Sequence, residues 1–261
     1  MLGDFEIITH QFPDRPNLKI YPIADVHLGA AEHMEREWKR FCTDILSDPD
    51  AYIVLGGDLL NWGLKSSVSN VYAETVRPRE AKRMMTEMLT PLKERILCAV
   101  PGNHERRGMK EADDDPTYDI MCKLDLESLY RENIAFMKIQ MGAKNGDGKQ
   151  NPTYTLAITH GAGGGVLSGG TINRNERFAY ALNGVDALIV GHSHKPMISM
   201  PSQIVVDTKN NRVSIKPLYV VVASAWMEWG GYAAQKMLLP SSHTPQIMML
   251  RGRKKEIRVE M

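Results

Sequence analysis

The sequence predicts an α/β fold built on a largely parallel β-sheet. Its 261 residues, 43% of them hydrophobic, are enough for one large domain or two small ones with a full core. Short runs rich in Val, Ile, Leu and Tyr recur along the chain, and each ends in a cluster of Gly, Asp, Asn or His, which is typical of buried strands. Helical patterns separate the first of these runs, and strand–helix–strand alternation favours parallel strands with right-handed connections.

The first half of the chain is predicted to alternate strands and helices. The predicted strands lie at residues 18–24, 51–57, 95–102, 154–159 and 186–191. Residues 32–46 are predicted to form a helix because Trp38, Phe41 and Ile45 recur at helical spacing. A second helix is predicted over residues 78–94, since Pro78 suits the first turn of a helix.

After Lys195 the pattern changes to strands without long helices. These strands are predicted at residues 203–208, 212–224, 246–252 and 255–260. The Asn-Asn pair at 210–211 is typical of a hairpin turn between the first two. The charged residues 106–115 are predicted to form a loop, and residues 142–152 a polar turn that joins two strands. No internal repeat or composition break interrupts the chain, so residues 1–261 are predicted to form a single domain.

Composition and charge exclude several functional classes. The net charge of +1, from 32 basic and 31 acidic residues, provides no general attraction to nucleic acid, although a local basic groove is compatible with it. No apolar run approaches the ~18–20 residues of a membrane helix, and the first residues lack a signal-peptide pattern. The three cysteines form no C-x-x-C pair and are expected to be free thiols. A cytoplasmic location and no membrane partner are therefore expected. The sequence does not indicate which proteins, if any, bind this chain.

Polar side chains follow each of the five strands that are predicted in the first 200 residues. They are Asp25, His27, Asp58, Asn103, His104, His160, His192 and His194. Because ligands bind outside the carboxyl ends of strands in α/β sheets, these side chains are expected to converge on one side of the sheet. Asp25 and His27, two residues apart, are expected on the same side of an extended segment, as are His192 and His194.

Imidazole, carboxylate and amide groups are the ligands of Zn²⁺, Mn²⁺, Fe and Ni²⁺, and the set has too few oxygens for Ca²⁺. Leaving His104 aside, the seven remaining side chains are too many for one ion and suit two. Two cations ~3.5–4 Å apart need a bridging carboxylate, for which Asp58 is the natural candidate. Each cluster alone has a structural interpretation: Asp58 as a cap, Gly102-Asn103 as a turn. Five such clusters in succession favour the metal centre.

The order of these motifs, D-x-H, G-D-x-x-N, G-N-H-E, H-G and G-H-x-H, resembles the calcineurin-like metallophosphoesterase superfamily from Asp25 to His194. The resemblance implies a four-layer α/β/β/α sandwich of two mixed β-sheets flanked by helices. It also implies two divalent transition-metal ions. Mn is the expected metal, and Fe, Zn and Ni are the alternatives. The first ion would be held by Asp25, His27 and His194, and the second by Asn103, His160 and His192, with Asp58 bridging. His104 would not be a ligand but the acid that protonates the leaving oxygen, or a group that stabilises charge in the transition state. The nucleophile would be a metal-bridging hydroxide.

The sequence departs from this family at position 61. Many members read G-D-x-x-D, and the last carboxylate orients the histidine of G-N-H-E; here the residue is Asn61. An amide can accept a hydrogen bond from an imidazole but supports the imidazolium less than a carboxylate does. Either Asn61 orients His104 and leaves it a weaker acid, or a carboxylate elsewhere in the chain takes the orienting role. The serine/threonine protein phosphatases of the superfamily usually continue with D-R-G, whose Arg clamps a phosphomonoester. This chain has Asn61-Trp62-Gly63 at that place.

Two further patterns bear on the subfamily. The segment ADVHLG at residues 24–29 resembles the double-strand-break-repair exonucleases and related phosphodiesterases. The glycine-rich residues 161–170 and the late segment WMEWGGYA resemble small phage or prophage members.

Candidate substrate contacts are less specific. Arg106 and Arg107 follow the G-N-H-E segment and can bind a phosphate, with a solvated charge pair as the alternative. Gly163 and Gly164 belong to a stretch with six glycines whose N–H groups can approach a phosphate, with a flexible loop as the alternative. Trp62, Trp226 and Trp229 could stack a base, and core packing is the other interpretation.

The sequence as a whole predicts a dinuclear metal-dependent phosphoesterase. Its substrates are expected to be phosphodiesters of nucleic acid, DNA or RNA, or nucleotide-like diesters. A phosphomonoesterase or protein phosphatase, and a catalytically silent binding module of the same fold, are the alternatives.

Overall fold

A computed structural model describes residues 3–13, 15–65, 67, 71–142, 151–163 and 167–261. The strands are β1 (Ile7–Phe12), β2 (Asn17–Ile23), β3 (Ala51–Leu55), β4 (Ile96–Ala99), β5 (Ile134–Met141), β6 (Thr153–Thr159), β7 (Ala187–Val190), β8 (Met197–Ser199), β9 (Ser202–Asp207), β10 (Arg212–Pro217), β11 (Tyr219–Val222), β12 (Ile247–Arg251) and β13 (Ile257–Glu260). The α-helices are α1 (Glu35–Ser47), α2 (Pro78–Leu89), α3 (Glu105–Ala112), α4 (Pro116–Lys123), α5 (Ser168–Ala181) and α6 (Gly231–Gln235). Short 3₁₀ helices lie at Gly3–Phe5, Val71–Ala73, Thr90–Arg95 and Glu127–Leu129.

The strands form two large mixed sheets and one hairpin. The six-stranded sheet has the order β1-β5-β6-β7-β11-β8, and the five-stranded sheet has the order β13-β12-β2-β3-β4. In the second sheet β2, β3 and β4 are parallel, while β12 runs antiparallel to β2. In the first sheet β6, β7 and β11 are parallel, and β8 and β5 run antiparallel at either side. Strands β9 and β10 pair only with each other among the described strands.

The two large sheets pack face to face. Side chains from β2, β3 and β4 and side chains from β5, β6 and β7 share one buried core, in which Ile20 and Val54 meet Met137 and Ile158. The outer face of the five-stranded sheet is covered by α1, α2 and α4. The outer face of the six-stranded sheet is covered by α5, through Ala179. These four layers confirm the predicted α/β/β/α sandwich of two mixed sheets.

Most predicted elements of the first half are confirmed within a few residues. The helix predicted at residues 32–46 is α1, and the one predicted at residues 78–94 is α2 followed by the 3₁₀ helix Thr90–Arg95. The hairpin of β9 and β10 turns at Asn210 and Asn211, where Asn211 takes a φ of 49°. The sequence patterns did not reveal β1, and they implied β5 only as the strand before the turn at residues 142–152. They also did not reveal the first residues of α5, where Gly169 and Gly170 suggest a loop.

The loop predicted for residues 106–115 is wrong. These residues form most of α3, and α4 begins directly after them. The helix has no apolar stripe because its buried positions are Glu105 and Gly108, so the pattern of hydrophobic residues does not reveal it. Asp113 ends the helix with a left-handed φ of 54°, and its N–H donates to the carbonyls of Gly108 and Met109.

The turn predicted at residues 142–152 joins β5 to β6, which pair antiparallel. Its central residues 143–150 lie outside the described residues. Within the described part of the chain, no helix combines the length and apolar character needed to cross a membrane.

Candidate metal centre

The eight polar residues predicted to converge come from two sheets rather than one. The loops after β2, β3 and β4 carry Asp25 through His104, and the loops after β6 and β7 carry the last three histidines. The expectation of a single sheet is therefore wrong. The loops still meet, because the two sheets face each other and their parallel strands end at the same edge. The backbone N–H of His192 donates to Asp25 Oδ2 at 2.8 Å and ties the two edges together.

These loops are turns and not extended segments. Asp25, His27, Asp58, His192 and His194 all take φ values between 49° and 69°. The strand-alternation argument for the Asp25/His27 and His192/His194 pairs is thus wrong, since left-handed residues do not alternate sides. Left-handed backbone at a non-glycine residue costs of order 1–3 kcal/mol and persists where the surrounding structure imposes it, typically at functional sites. The left-handed backbone of these turns, rather than the alternation of an extended strand, sets the direction of these side chains.

The first group of side chains is Asp25, His27 and His194, whose potential ligand atoms all lie within 4.8 Å of one another. His27 Nε2 lies 3.1 Å from His194 Nε2, and His194 Nε2 lies 3.4 Å from Asp25 Oδ1. Asp25 is fully buried, yet its Oδ1 has no hydrogen-bond partner among the described residues. An unpaired buried carboxylate oxygen beside two imidazole nitrogens is what a cation would satisfy.

The second group is Asp58, His160 and His192, joined by Asn103. Asn103 Oδ1 lies 3.0 Å from His160 Nε2 and 2.6 Å from His192 Nδ1. His160 Nδ1 lies 2.8 Å from the carbonyl oxygen of Gly56. When Nδ1 donates to that carbonyl, the other ring nitrogen is directed to the cluster, as in metal sites whose histidines are oriented by a carbonyl.

Asp58 lies between the two groups. Its Oδ2 is 3.9 Å from His27 Nε2 in the first group and 3.3 Å from His160 Nε2 in the second. Its Oδ1 accepts the backbone N–H of His104 at 2.8 Å. Carboxylate, amide and imidazole groups in two adjoining sets fit two divalent cations of the transition series.

Glu105 supports the loop that carries Asp58, and the sequence reasoning did not single it out. This fully buried carboxylate accepts the backbone N–H groups of Asp58, Leu60 and Gly102, each at 2.9 Å. It therefore clamps the loop after β3 to the loop after β4. The signal was its place as the last residue of G-N-H-E, where a carboxylate directly follows two candidate site residues.

The charges around the cluster separate the pKa values of its histidines. Burial lowers the pKa of His27 well below its usual value, and the neighbouring His104 acts in the same direction. Burial alone would also lower the pKa of His160, but Asp58 and Asp25 outweigh it and raise that pKa to about 10. In the metal-free protein at neutral pH, His27 is therefore neutral, whereas His160 is protonated beside the Asp58 carboxylate.

Metal binding is expected to release about one proton from His160, because a histidine must be deprotonated to ligate. Since the pKa of His160 is raised, its proton is present below pH 10 and is lost as the pH rises, so metal affinity should rise with pH through the neutral range. Calorimetric titration of the metal-free protein with Mn²⁺, in buffers of different ionisation enthalpy, measures this release. A heat that does not depend on the buffer would contradict it.

Gly102 allows Asp58 to reach its position. A Cβ atom at Gly102 would lie 2.0 Å from Asp58 Oδ1 and 2.3 Å from its backbone nitrogen. Gly102→Ala is therefore expected to destabilise the metal-free protein by about 1–3 kcal/mol, the cost of overpacking. Gly169→Ala is the matched control, because a Cβ atom there would meet no atom within 4 Å and the residue lies in α5. Denaturant unfolding compares them, and equal stability would contradict the expectation.

His104 lies at the opening of the cluster. Its side chain is 16% exposed, whereas the side chains of His27 and Asp58 are 3% and 2% exposed. Its Nε2 lies 3.8 Å from Asp58 Oδ2, and its Nδ1 lies 2.7 Å from the main-chain carbonyl of Asn61. His27, Asp58 and His104 also form a third possible ligand group. Geometry alone thus allows His104 to be an acid or a ligand.

Asn61 contacts His104 through its backbone and not through its side chain. The sequence reasoning expected the amide of Asn61, or another carboxylate, to receive the imidazole. In the structure the main-chain oxygen takes that contact, and the side-chain Nδ2 donates to Glu74. The main-chain carbonyl of Asn61, and not its side-chain amide, is therefore the group that orients the ring.

The four residues predicted to contact substrate, Arg106, Arg107, Gly163 and Gly164, have different surroundings in the structure. The Arg106 guanidinium donates to Asn133 Oδ1 and to the Glu132 carbonyl, so it is engaged at the start of β5. Arg107 Nη1 donates to Ser67 Oγ at 3.1 Å. Gly163 takes a φ of 74° and packs against the Arg174 side chain. Gly164 lies outside the described residues.

The three tryptophans divide into two kinds. Trp62 and Trp226 are 4% exposed and belong to the core beneath α1 and α2, as the packing interpretation expected. Trp229 is 51% exposed.

Comparisons with known proteins give one family match. The sequence profile of a family described as calcineurin-like phosphoesterase matches residues 18–196. Among solved structures, the chain is similar to a conserved uncharacterized protein, a predicted phosphoesterase, from Streptococcus pneumoniae, with 10% identity over 94% of this chain and 90% of that one and a TM-score of 0.41. It is also similar to a metallophosphoesterase from Sphaerobacter thermophilus, with 17% identity over 90% and 84% of the two chains and a TM-score of 0.39. No curated protein sequence matches it.

Proposed function

Since the chain belongs to the calcineurin-like phosphoesterase family and is therefore a hydrolase of phosphate esters, we propose that its substrates are phosphodiesters, those of nucleic acid or nucleotide-like diesters in particular. The proposal makes it a nuclease or a related phosphodiesterase rather than a phosphatase. The residue at position 62 is the observation that supports it.

Position 62 carries this argument. The serine/threonine protein phosphatases of the superfamily usually have an arginine at this position, and it clamps a phosphomonoester. In this chain the residue is Trp62, which is buried, with Gly108 packed against its indole nitrogen. The ammonium of Lys82 lies 5.6 Å from the centre of the ring and is paired with Asp114 and Asp119. A monoester carries close to two negative charges at neutral pH and gains from such a clamp. A diester carries one negative charge and needs the clamp less.

The side chains have distinct proposed roles. Asp25, His27 and His194 would hold one divalent ion, Asn103, His160 and His192 would hold the other, and Asp58 would be shared. When bound, the ions supply positive charge that polarises the phosphoryl group and lowers the pKa of the attacking water. His104 has Nδ1 against the Asn61 carbonyl and Nε2 3.8 Å from Asp58 Oδ2, and Nε2 would donate a proton to the leaving oxygen. Burial lowers the pKa of His104 while Asp58 opposes that effect.

We propose Mn²⁺ as the first metal to test, with Fe, Zn and Ni as alternatives. The mixture of imidazole nitrogens with carboxylate and amide oxygens is compatible with all four. Loading in the cell follows availability as well as geometry. Metal analysis of the purified protein, followed by reconstitution with each ion, distinguishes them.

Trp229 supports a nucleic-acid or nucleotide substrate. The N–H of Trp226 donates to the Asp25 carbonyl, and the N–H of Glu228 donates to the Glu32 carbonyl, so this segment borders the loop that carries Asp25 and His27. The exposed indole of Trp229 follows directly. An exposed aromatic ring on a segment that borders the candidate ligand loop suits base stacking, which is worth about 1–3 kcal/mol per base.

Trp229→Ala is expected to raise KM for an oligonucleotide by about 5- to 150-fold, because the stacking of about 1–3 kcal/mol is lost. KM for bis-nitrophenyl phosphate, which has no base, should change little. Tyr180→Ala on α5 is the matched control, since Tyr180 is 50% exposed. An equal rise in KM for both substrates would contradict a base contact.

The diester assignment itself is tested by comparing turnover of bis-nitrophenyl phosphate and mononitrophenyl phosphate by the Mn²⁺ form. Diester preference is expected, and DNA, RNA, cyclic nucleotides and phosphopeptides then extend the panel. A strong monoester preference would overturn the proposal in favour of a phosphomonoesterase. Metal binding without turnover of any ester would leave a binding module of the same fold.

Both sheets contribute ligands to the same cluster, which supports the expectation that residues 1–261 act as one domain. We also propose a cytoplasmic location. Cys42, Cys98 and Cys122 are free thiols, which persist in a reducing compartment. Fractionation of the native cells tests the location.

A further inference from the structure

The carboxylate of Glu74 lies beside the loop that carries Asn61. The segment that bears it is anchored to the first metal-ligand loop, since the backbone N–H and the hydroxyl of Thr75 both donate to the Gly29 carbonyl, at 2.8 and 3.1 Å. Glu74 is thus brought to the site from a stretch between the 3₁₀ helix Val71–Ala73 and α2, 13 residues after Asn61.

Two glycines leave room for the carboxylate of Glu74. A Cβ atom at Gly63 would lie 2.5 Å from Glu74 Oε1, and a Cβ atom at Gly29 would lie 3.0 Å from Glu74 Oε2. Any larger residue at position 63 would displace the carboxylate. Burial raises the pKa of Glu74, while the Asn61 amide and the charge of Arg107 oppose that rise. Two glycines, one amide and one nearby cation therefore accommodate this half-buried acid.

Asn61 connects Glu74 to His104. Its side-chain Nδ2 donates to Glu74 Oε1, its backbone N–H donates to the Leu28 carbonyl at 3.0 Å, and its carbonyl lies 2.7 Å from His104 Nδ1. The residue is 8% exposed. Because both its side chain and its backbone are held, the carbonyl that meets His104 has a fixed direction.

We propose that Glu74 is a positioning residue for His104, acting through Asn61, and that it supplies from a distance the carboxylate that many family members carry at position 61. The inference rests on the proposed role of His104 as the acid of a phosphoesterase. Within the described part of the chain, Glu74 bonds to the Asn61 amide and not to a candidate metal ligand, and on this inference it does not touch the reacting atoms. Glu74 affects catalysis by fixing the orientation of the His104 ring, and so the position of the proton on that ring.

The test uses esters whose leaving groups differ in basicity, from nitrophenol to phenol to an aliphatic alcohol. A basic leaving oxygen needs a proton in the transition state, whereas nitrophenolate departs without one. Glu74→Ala is expected to lower kcat about 10-fold for the alcohol ester and less than about 3-fold for the nitrophenyl ester, a part of the ~10²–10⁴-fold that a general acid contributes. Since both rates come from one sample, their ratio does not depend on the folded fraction.

Exchanging the hydrogen-bonding partners gives a rescue. Asn61→Asp alone places two carboxylates in contact and is expected to show the leaving-group dependence of Glu74→Ala. In the double variant Asn61→Asp/Glu74→Gln the donor and acceptor change places, and the ratio of the two rates should return toward the wild-type value. Glu74→Gln alone keeps an acceptor and should stay close to wild type. Glu37→Ala, an exposed carboxylate on α1, is the matched control.

The outcomes separate this inference from the function it rests on. If His104→Ala shows no leaving-group dependence, the acid role itself fails. If His104→Ala shows it and Glu74→Ala lowers both rates equally or not at all, Glu74 has no positioning role and the inference is overturned. The panel can be built from diesters or monoesters, so a wrong substrate class leaves it intact.

Discussion

Asp58→Asn is expected to lower kcat by about 10³-fold or more in the presence of metal. Asp58 lies within 4 Å of imidazole nitrogens from both groups, with Oδ2 at 3.9 Å from His27 Nε2 and 3.3 Å from His160 Nε2. An amide there keeps the shape but removes the negative charge that two cations share. Bound cations stabilise a phosphoryl transition state by several kcal/mol, and about 4 kcal/mol corresponds to 10³-fold in rate.

Metal stoichiometry is the second measurement for Asp58→Asn. Equilibrium dialysis against Mn²⁺ should show fewer bound ions per chain than in the wild type, because the carboxylate belongs to both groups. Asp44→Asn, an exposed residue of α1, is the matched control and should keep both activity and stoichiometry. Full metal binding with full activity in Asp58→Asn would contradict a shared site.

His104→Ala is expected to lower kcat by about 10²–10⁴-fold for substrates with basic leaving groups, the usual contribution of a general acid. The loss should shrink for nitrophenyl esters. The reason is geometric: the ring is the most exposed of the three imidazoles that contact Asp58, and its Nδ1 is held by the Asn61 carbonyl, so Nε2 is available at the opening.

The metal content of His104→Ala decides between two interpretations of its position. Together with His27 and Asp58 it could complete a ligand group. As an acid it should leave the number and affinity of bound ions unchanged. A variant that loses both an ion and its activity would contradict the acid role and make His104 a ligand. The wild-type protein, measured under the same conditions, is the reference.

Much of the candidate site could be predicted from local patterns. Each of the eight residues stands directly after an apolar run, and the structure brings all eight together. Residues such as Glu74 and Glu105 could not be found in this way. Glu105 acts on the backbone of Asp58 and Leu60, more than 40 residues earlier, and Glu74 acts on Asn61 through a turn that no periodicity describes. A hydrogen bond across such distances leaves no repeating mark on the sequence.

The errors have physical reasons of the same kind. Helix α3 buries a carboxylate and a glycine, so hydrophobic periodicity did not reveal it. The turns that carry Asp25 and His192 are left-handed, and that conformation is imposed by contacts such as the His192 N–H to Asp25 Oδ2. The left-handed backbone at Asp25 and His192 depends on neighbouring segments, so the type of residue at these positions does not predict it.

By itself the sequence determined the class of fold, the strands that lead to the site, and the chemistry of the ligands, because apolar runs and the polar residues that end them are local properties. The tertiary structure decided that the ligands come from two facing sheets, which turns aim them, and that Asn61 meets His104 with its backbone and Glu74 with its side chain. These features depend on which distant segments touch, and packing of the whole chain settles that.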